Sequence, residues 1–138
     1  MTKIKICGLT TQDALNSCQQ SGADFAGFVF YEPSARYIAP EDTAQLKTSL
    51  RKVGLFVSPS LTDIARVFEF TELDMIQLHG SETPEHVQLV QKTFGKPVMK
   101  AFGIANKGDI EQVKPYQPHC DWLLFDTKSP AHGGTGQC

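Results

Sequence analysis

Two side chains in this 138-residue sequence follow strand-like segments and could carry chemistry. Cys7 ends the segment 3–7 and is followed by a glycine, and Asp126 ends the segment 121–126 ahead of a glycine-rich stretch. A thiol that is partly ionised can accept a proton, and a carboxyl group can donate one. Because α/β barrels build their active sites at the carboxyl ends of strands, these two side chains are candidates for such a site.

Each candidate side chain also has an ordinary structural interpretation. A lone cysteine is most often a small buried apolar residue, and an aspartate at a strand end is most often a helix cap or turn residue. Arg36 lies in a polar loop, where arginine is usually solvated. Gln77 and His79 end another strand-like segment, where they either line a pocket or satisfy loop backbone groups. Residue types alone leave the catalytic and structural interpretations open.

The cysteine pattern and the charge exclude several classes of protein. Cys7, Cys18, Cys120 and Cys138 form no C-x-x-C pair and suit neither a zinc site nor a disulfide scaffold, so we expect free thiols. The net charge of -2 gives no electrostatic basis for binding nucleic acid or an anionic membrane. No apolar run approaches the ~20 residues of a membrane span, and no signal region is visible, so we expect a cytoplasmic protein.

Strand and helix signals alternate around these residues. Apolar runs and β-favouring side chains predict strands at 3–7, 23–30, 53–57, 73–78, 97–102 and 121–126. Capping residues and helical apolar spacing predict helices at 14–20 (capped by Thr10 or Thr11), 40–50, 61–70 (capped by Ser60 or Thr62), 81–94, and from Asn106 or Asp109 to before Pro115. We expect one domain, with βα repeats over 1–126 and a glycine-rich loop and terminus over 127–138.

The spacing of these elements predicts a parallel sheet. Strands recur every roughly 20–25 residues, which fits βαβ crossovers with helices outside one sheet. Six strands and five helices fit an open doubly wound sheet as well as part of a barrel. No G-x-G-x-x-G follows the first strand, which counts against a dinucleotide-binding fold.

Eight short segments resemble one known family, phosphoribosylanthranilate isomerase of tryptophan biosynthesis. The matching segments are 5–10 (KICGLT), 22–24 (GAD), 27–30 (GFVF), 34–38 (SARYI), 53–57 (VGLFV), 73–80 (LDMIQLHG), 124–128 (LFDTK) and 133–136 (GGTG). Each segment alone is weakly specific. Together, in the family's order and spacing across the whole chain, they are very specific.

The resemblance implies a (β/α) barrel of the TIM type, of which this chain would supply about six strands and five helices. It implies an Amadori rearrangement of N-(5-phosphoribosyl)anthranilate to 1-(2-carboxyphenylamino)-1-deoxyribulose 5-phosphate. By the same resemblance, Cys7 is the general base, Asp126 is the general acid, and Arg36 binds the anthranilate carboxylate with its planar guanidinium. We expect further substrate contacts from Gln77, His79, Gly133 and Gly134.

The chemistry of this reaction fits those residue types. Opening the sugar ring requires a proton on the ring oxygen, which a carboxyl group donates if burial or a negative neighbour raises its pKa. The resulting iminium acidifies the adjacent C–H, and a thiolate favoured by a positive neighbour removes that proton. The substrate nitrogen serves as the electron sink, so we expect no metal or organic cofactor.

The resemblance also carries an expectation about the extent of the barrel. Barrels of this type typically need about 250 residues, and compact ones about 200, so we expect the family's seventh and eighth strands to be missing. The phosphate site, commonly built after those strands, would be missing too, and we expect this chain alone to be inactive. Its first and sixth strands would be open edges that pair with a second copy or a complementing fragment.

Two other interpretations stay open. One is a non-catalytic remnant that folds as an open sheet and still holds Cys7 and Asp126 in place. The other is a half-barrel that binds a sugar phosphate among its six strand ends, with 133–136 as the only loop rich enough in backbone N–H groups.

Overall fold

The computed structural model describes residues 1–128 of the chain. The elements in order are β1 (Lys5–Cys7), α1 (Gln12–Gln20), β2 (Phe25–Val29), α2 (Pro40–Thr43), β3 (Arg51–Phe56), α3 (Leu61–Phe70), β4 (Met75–Leu78), α4 (Pro84–Phe94), β5 (Val98–Ile104), α5 (Lys107–Glu111) and β6 (Trp122–Thr127). A 3-10 segment, Lys114–His119, precedes β6. The predicted alternation of six strands and five helices is confirmed over these residues.

The strand order decides between the two predicted architectures. All neighbouring strands are parallel, and their order in the sheet is β1-β2-β3-β4-β5-β6. Each βα unit therefore steps in the same direction, as in a barrel, whereas a doubly wound sheet reverses direction at a switch point. The doubly wound alternative is wrong. Within residues 1–128, β1 and β6 each pair with one strand and form the edges of the sheet.

The two faces of the sheet carry different layers. Between the sheet and the helices lies the larger apolar cluster, which includes Phe56, Ile76 and Leu78 from the strands and Ile64 and Val87 from the helices. The opposite, inner face carries a small cluster of Phe25, Val53, Met75 and Met99. Because side chains alternate along a strand, residues two positions further on share the inner face and lie nearer the carboxyl ends.

Local capping explains why α3 begins where it was predicted to begin, whereas α1 begins two residues earlier, α4 three residues later, and α5 ends at Glu111. The Ser60 side chain accepts a hydrogen bond from the Asp63 N–H and the Asp63 carboxylate accepts one from the Ser60 N–H, so α3 begins at Leu61 as predicted, with Ser60 as its cap. Hydrogen bonds from the Ser60 hydroxyl and backbone N–H lower the pKa of Asp63. Thr11 caps α1, and Asn106 caps α5. No helix among residues 1–128 is long and apolar enough to cross a membrane.

The predicted helix at 40–50 is wrong in length, because α2 ends at Thr43. Side chains of α1 form hydrogen bonds with the backbone of residues 47–49, which would otherwise extend α2. Gln12 donates to the carbonyl of Lys47 at 2.7 Å and accepts from its N–H at 2.9 Å, and Gln19 accepts from the N–H of Ser49 at 3.2 Å. These tertiary hydrogen bonds compete successfully with helical ones.

Candidate active site

Cys7 and Arg36 lie together at the carboxyl end of β1. Arg36 Nη1 donates a hydrogen bond to the backbone oxygen of Cys7 at 2.8 Å. The loop that carries Arg36 returns to the sheet immediately afterwards, where Tyr37 bridges Val29 and the Ile38 N–H donates to the Val29 oxygen at 3.0 Å. The predicted base and the predicted carboxylate-binding residue therefore share one side of the site.

Gly8 is required for this arrangement by both its backbone and its surroundings. Its φ of +83° lies in the left-handed region, and a Cβ there would stand 2.5 Å from Arg36 Cδ and 2.8 Å from Arg36 Nε. Gly22 has a similar φ of +81°, but nothing lies within 4 Å of its Cβ position. Gly8 thus lets the Arg36 side chain pack directly over the end of β1.

Lys5 stands beside the Cys7 thiol, a neighbour that the sequence analysis missed. A Cβ on Gly27 would lie 3.0 Å from Cys7 Sγ and 3.2 Å from Lys5 Nζ, so both side chains converge on the space above this glycine. The signal was present in the sequence, because Lys5 and Cys7 are two residues apart and so share a strand face. Lys5 therefore brings a positively charged side chain close to the Cys7 thiol.

Asp126, His79 and Gln77 form a second group on the inner face. His79 Nε2 lies 3.8 Å from Asp126 Oδ2, and Gln77 Nε2 lies 3.2 Å from His79 Nδ1. Between β4 and β6, the inward residues of β5 near this level are Ala101 and Gly103, and Gly103 pairs in register with Asp126. These small residues leave room for the imidazole to reach the carboxylate.

The burial expected for a proton-donating carboxyl group is not found around Asp126. Its side chain is 43% exposed, and its Oδ1 accepts a hydrogen bond from the Thr127 N–H at 2.8 Å. The imidazole of His79 lies 3.8 Å from its Oδ2.

The amide oxygen of Gln77 is a buried acceptor without a hydrogen-bond partner in the described part of the chain. The residue is only 2% exposed, so water does not satisfy this oxygen from bulk solvent. Leaving such a group unpaired costs about 1–3 kcal/mol. An unpaired acceptor on the inner face is suited to accept a hydrogen bond from a hydroxyl group of a ligand.

A buried ion pair, also missed from the sequence, fixes the turn that follows His79. Glu82 and Lys100 lie 3.1 Å apart, with side chains 1% and 3% exposed. Glu82 accepts from the N–H groups of Ser58 and Gly80, and Lys100 donates to the Gly80 oxygen at 2.8 Å. The backbone N–H and the backbone oxygen of Gly80 are therefore both hydrogen-bonded, to Glu82 and to Lys100 respectively. In the sequence, Glu82 reads simply as part of a helix start.

Of the remaining predicted features, some lie within residues 1–128 and others lie outside them. Gly133 and Gly134, with the loop 133–136, lie outside the described residues. Cys120 donates to the Tyr116 oxygen, and burial together with the Asp121 charge raises the pKa of its thiol, in keeping with a structural role. In residues 1–128, no three His, Cys, Asp or Glu side chains are grouped so that they could hold a metal ion.

Comparison with known proteins supplies independent information. A family model described as N-(5'phosphoribosyl)anthranilate (PRA) isomerase matches residues 4–138. N-(5'-phosphoribosyl)anthranilate isomerase of Rhodospirillum centenum is 46% identical over 132 residues, which cover 93% of this chain and 62% of the relative. The chain thus spans somewhat less than two thirds of the length of this curated relative.

Solved structures agree with the sequence comparison. Monomers generated from the dimeric phosphoribosylanthranilate isomerase of Thermotoga maritima superpose with a TM-score of 0.84 at 36% identity, covering 94% of this chain and 66% of that one. Another phosphoribosylanthranilate isomerase, in complex with reduced 1-(o-carboxyphenylamino)-1-deoxyribulose 5-phosphate, gives a TM-score of 0.83 at 35% identity, covering 94% and 66%.

Proposed function

The chain belongs to the phosphoribosylanthranilate isomerase family, and we propose that it supplies the base, the acid and the carboxylate-binding residue of that family's Amadori rearrangement. The observation that carries the proposal is the placement of two reactive groups at the carboxyl ends of strands. Cys7 with Arg36 lies at the end of β1, and Asp126 with His79 lies at the end of β6. Barrel enzymes draw their catalytic residues from this edge of the sheet.

In the proposed mechanism, protons pass between the substrate and the two side chains, and no electrons leave the substrate. Asp126 protonates the ring oxygen, the C–O bond of the ring breaks, and the substrate nitrogen forms an iminium. The Cys7 thiolate, next to the Lys5 ammonium, removes the proton from the adjacent carbon. The enol-amine that results becomes the ketone of the product when its enol O–H proton passes to the Asp126 carboxylate and the Cys7 thiol returns its proton to the carbon beside the nitrogen, which restores both side chains. The substrate nitrogen accepts the electron pair, so the proposal includes no cofactor.

Substrate binding is assigned to the polar groups around these two residues. Arg36 would hold the anthranilate carboxylate, since guanidinium and carboxylate pair bidentately. The unpaired oxygen of Gln77 would accept a hydrogen bond from a sugar hydroxyl group, and His79 would line the same pocket. Gly133 and Gly134 stay in the proposal as substrate contacts on the strength of the family resemblance.

We also propose that the edges of the sheet pair with further strands. Apolar side chains on β1 and β6 are exposed, with Ile6 at 39%, Trp122 at 48% and Phe125 at 59%. Unpaired edge strands of this kind recruit another strand. A second copy of the chain or a complementing polypeptide of the family would cover them, and the Thermotoga maritima relative is named as dimeric. The cytoplasm stays the proposed location for an amino-acid biosynthetic enzyme.

Arg36→Met tests the carboxylate-binding role. The methionine keeps an unbranched side chain over Gly8 but removes the guanidinium. We expect the variant to bind reduced 1-(o-carboxyphenylamino)-1-deoxyribulose 5-phosphate about 10- to 100-fold more weakly by calorimetry, since a hydrogen-bonded charge contributes about 1.5–3 kcal/mol.

Two controls sharpen this measurement. Arg66→Met removes an exposed guanidinium that pairs with Glu41, and its affinity for the analogue should equal that of the parent. An analogue without the carboxylate should bind the parent and Arg36→Met equally. If Arg36→Met weakens both analogues equally, Arg36 does not recognise the carboxylate.

A further inference from the structure

We propose that Asp109 and Lys128 are positioning residues for Asp126, because their ion pair fastens the carboxyl end of β6 to the start of α5. They act on the acid through the backbone of β6 and do not contact the reacting atoms themselves. The inference rests on the proposed function for the role of Asp126 as the acid. The fastening of the strand end, in contrast, can be measured without any turnover.

The carboxyl end of β6 is held by few other contacts. Within residues 1–128, β6 pairs with β5 alone, and the register places Gly103 opposite Asp126. The Asp126 side chain is 43% exposed, and Phe125 beside it is 59% exposed. Packing therefore contributes little to fixing the carboxylate, and its position depends on how the end of the strand is held.

The chain leaves β6 across the end of β5. A Cβ on Gly103 would lie 3.2 Å from Lys128 Cα and 3.6 Å from Lys128 Cβ, so the Lys128 backbone passes directly over this glycine. The Asp126 carboxylate is tied to the same turn, since its Oδ1 accepts a hydrogen bond from the Thr127 N–H at 2.8 Å. A movement of this turn therefore moves the carboxylate with it.

The ion pair anchors this turn to a group that is itself fixed. Lys128 Nζ lies 2.9 Å from Asp109 Oδ1, and the Asp109 side chain is only 8% exposed. Asp109 Oδ2 accepts from the N–H groups of Ala105 at 2.8 Å and Asn106 at 3.1 Å. The hydrogen bond from the Lys128 ammonium, followed by that from the Ala105 N–H, lowers the pKa of Asp109. The carboxylate is therefore charged at neutral pH and held in one place.

The exposure of the two partners indicates a role in position more than in global stability. The Lys128 side chain is 58% exposed, and ion pairs with an exposed partner contribute little to folding. Such a pair can still change how often a strand end is in place by about 2- to 5-fold. Because Asp109 is already immobile, this change falls on the Lys128 side, which is the side that carries Asp126.

Hydrogen exchange of the Thr127 amide in the ¹⁵N-labelled chain, followed by NMR, tests the fastening directly. Lys128→Met keeps the unbranched side chain without the ammonium, and the Thr127 amide should then exchange about 2- to 5-fold faster. Asp109→Asn should have the same effect, because asparagine can still accept from Ala105 and Asn106 but carries no charge. The two substitutions change the local charge in opposite directions, so a shared acceleration is not an effect of charge on the exchange chemistry.

A matched ion pair and a conservative substitution serve as controls. Lys3 lies 2.9 Å from Asp24, which also accepts from the Ile4 N–H at 2.8 Å, so this pair has the same construction at the amino end of the sheet. Lys3→Met should leave the exchange of the Thr127 amide unchanged. Lys128→Arg keeps the positive charge and should retain the exchange rate of the parent.

Steady-state kinetics test the effect on the acid. Each variant is assayed with the part of the Rhodospirillum centenum relative that this chain does not cover, added as a separate polypeptide. In Lys128→Met and Asp109→Asn, kcat should fall about 2- to 5-fold while KM stays at the parent value, because the substrate contacts are unchanged. Since both substitutions remove one interaction, the double variant should be no slower than the slower single variant. Lys3→Met and Lys128→Arg should keep the kcat of the parent.

The outcomes separate this inference from the proposed function. Exchange of the Thr127 amide in Lys128→Met and Asp109→Asn at the rate found in Lys3→Met would overturn the fastening, whatever the turnover. Faster exchange together with a kcat equal to that of Lys3→Met would overturn the positioning role. A completed parent barrel without turnover would contradict the proposed function, and the exchange rates would still decide whether the pair holds the end of β6.

Discussion

Asp126→Asn is expected to lower the turnover of N-(5-phosphoribosyl)anthranilate about 10²- to 10⁴-fold, the range that a positioned general acid contributes. Asparagine keeps the shape of the side chain and can still accept from the Thr127 N–H. It has no proton to give to the ring oxygen. Because the other substrate contacts are unchanged, KM should stay within a few-fold of the parent while kcat falls.

Steady-state kinetics decide this prediction, with the parent and each variant completed by the part of the Rhodospirillum centenum relative that this chain does not cover. Asp13→Asn removes an exposed carboxylate in the first turn of α1 and should leave both constants unchanged. A kcat within a factor of a few of the parent in Asp126→Asn would show that another group donates the proton. In that case the second group of the site, around His79, would need a different role.

Glu82→Ala is expected to destabilise the protein by about 3–5 kcal/mol, because it leaves the Lys100 ammonium buried without its counter-charge. The pair is nearly inaccessible, with side chains 1% and 3% exposed. The variant also frees the N–H groups of Ser58 and Gly80, which donate to this carboxylate at 2.8 Å and 3.1 Å. Urea unfolding should show a large fall in the midpoint with an unchanged m-value.

An exposed ion pair provides the control for Glu82. Glu41 accepts a hydrogen bond from Arg66 at 2.7 Å, but the two side chains are 46% and 63% exposed. Glu41→Ala should therefore leave the urea midpoint close to that of the parent. Equal losses in Glu82→Ala and Glu41→Ala would contradict the view that the buried pair holds the loop behind His79.

Features encoded by short, local signals could be predicted from the sequence. The helix at 61–70 is correct at both ends because Ser60 and Asp63 form a capping box within four residues of each other. The segment 23–30 is a nearly continuous apolar run, as parallel strands covered on both faces are, and β2 within it is buried throughout. The strand-like segments 3–7 and 121–126 also placed Cys7 and Asp126 at strand ends, where the structure has them.

Features that depend on distant side chains could not be predicted. The helix at 40–50 stops at Thr43 because Gln12 and Gln19 on α1 bind the backbone of residues 47–49. The ion pair of Glu82 with Lys100 joins residues on two different βα units, and no local sequence pattern predicts it. Lys5 was visible in the sequence, but its proximity to the Cys7 thiol depends on the missing side chain of Gly27 in the neighbouring strand.

The central claim is that this chain carries the base and the acid of a phosphoribosylanthranilate isomerase. The most direct test is isomerase turnover of Cys7→Ala beside the parent and Cys18→Ala. Each is assayed alone and with the part of the Rhodospirillum centenum relative that the alignment leaves uncovered, added as a separate polypeptide. We predict turnover in the completed barrel that Cys7→Ala abolishes and Cys18→Ala retains. A folded, completed barrel without turnover, or one that stays active in Cys7→Ala, would contradict the claim.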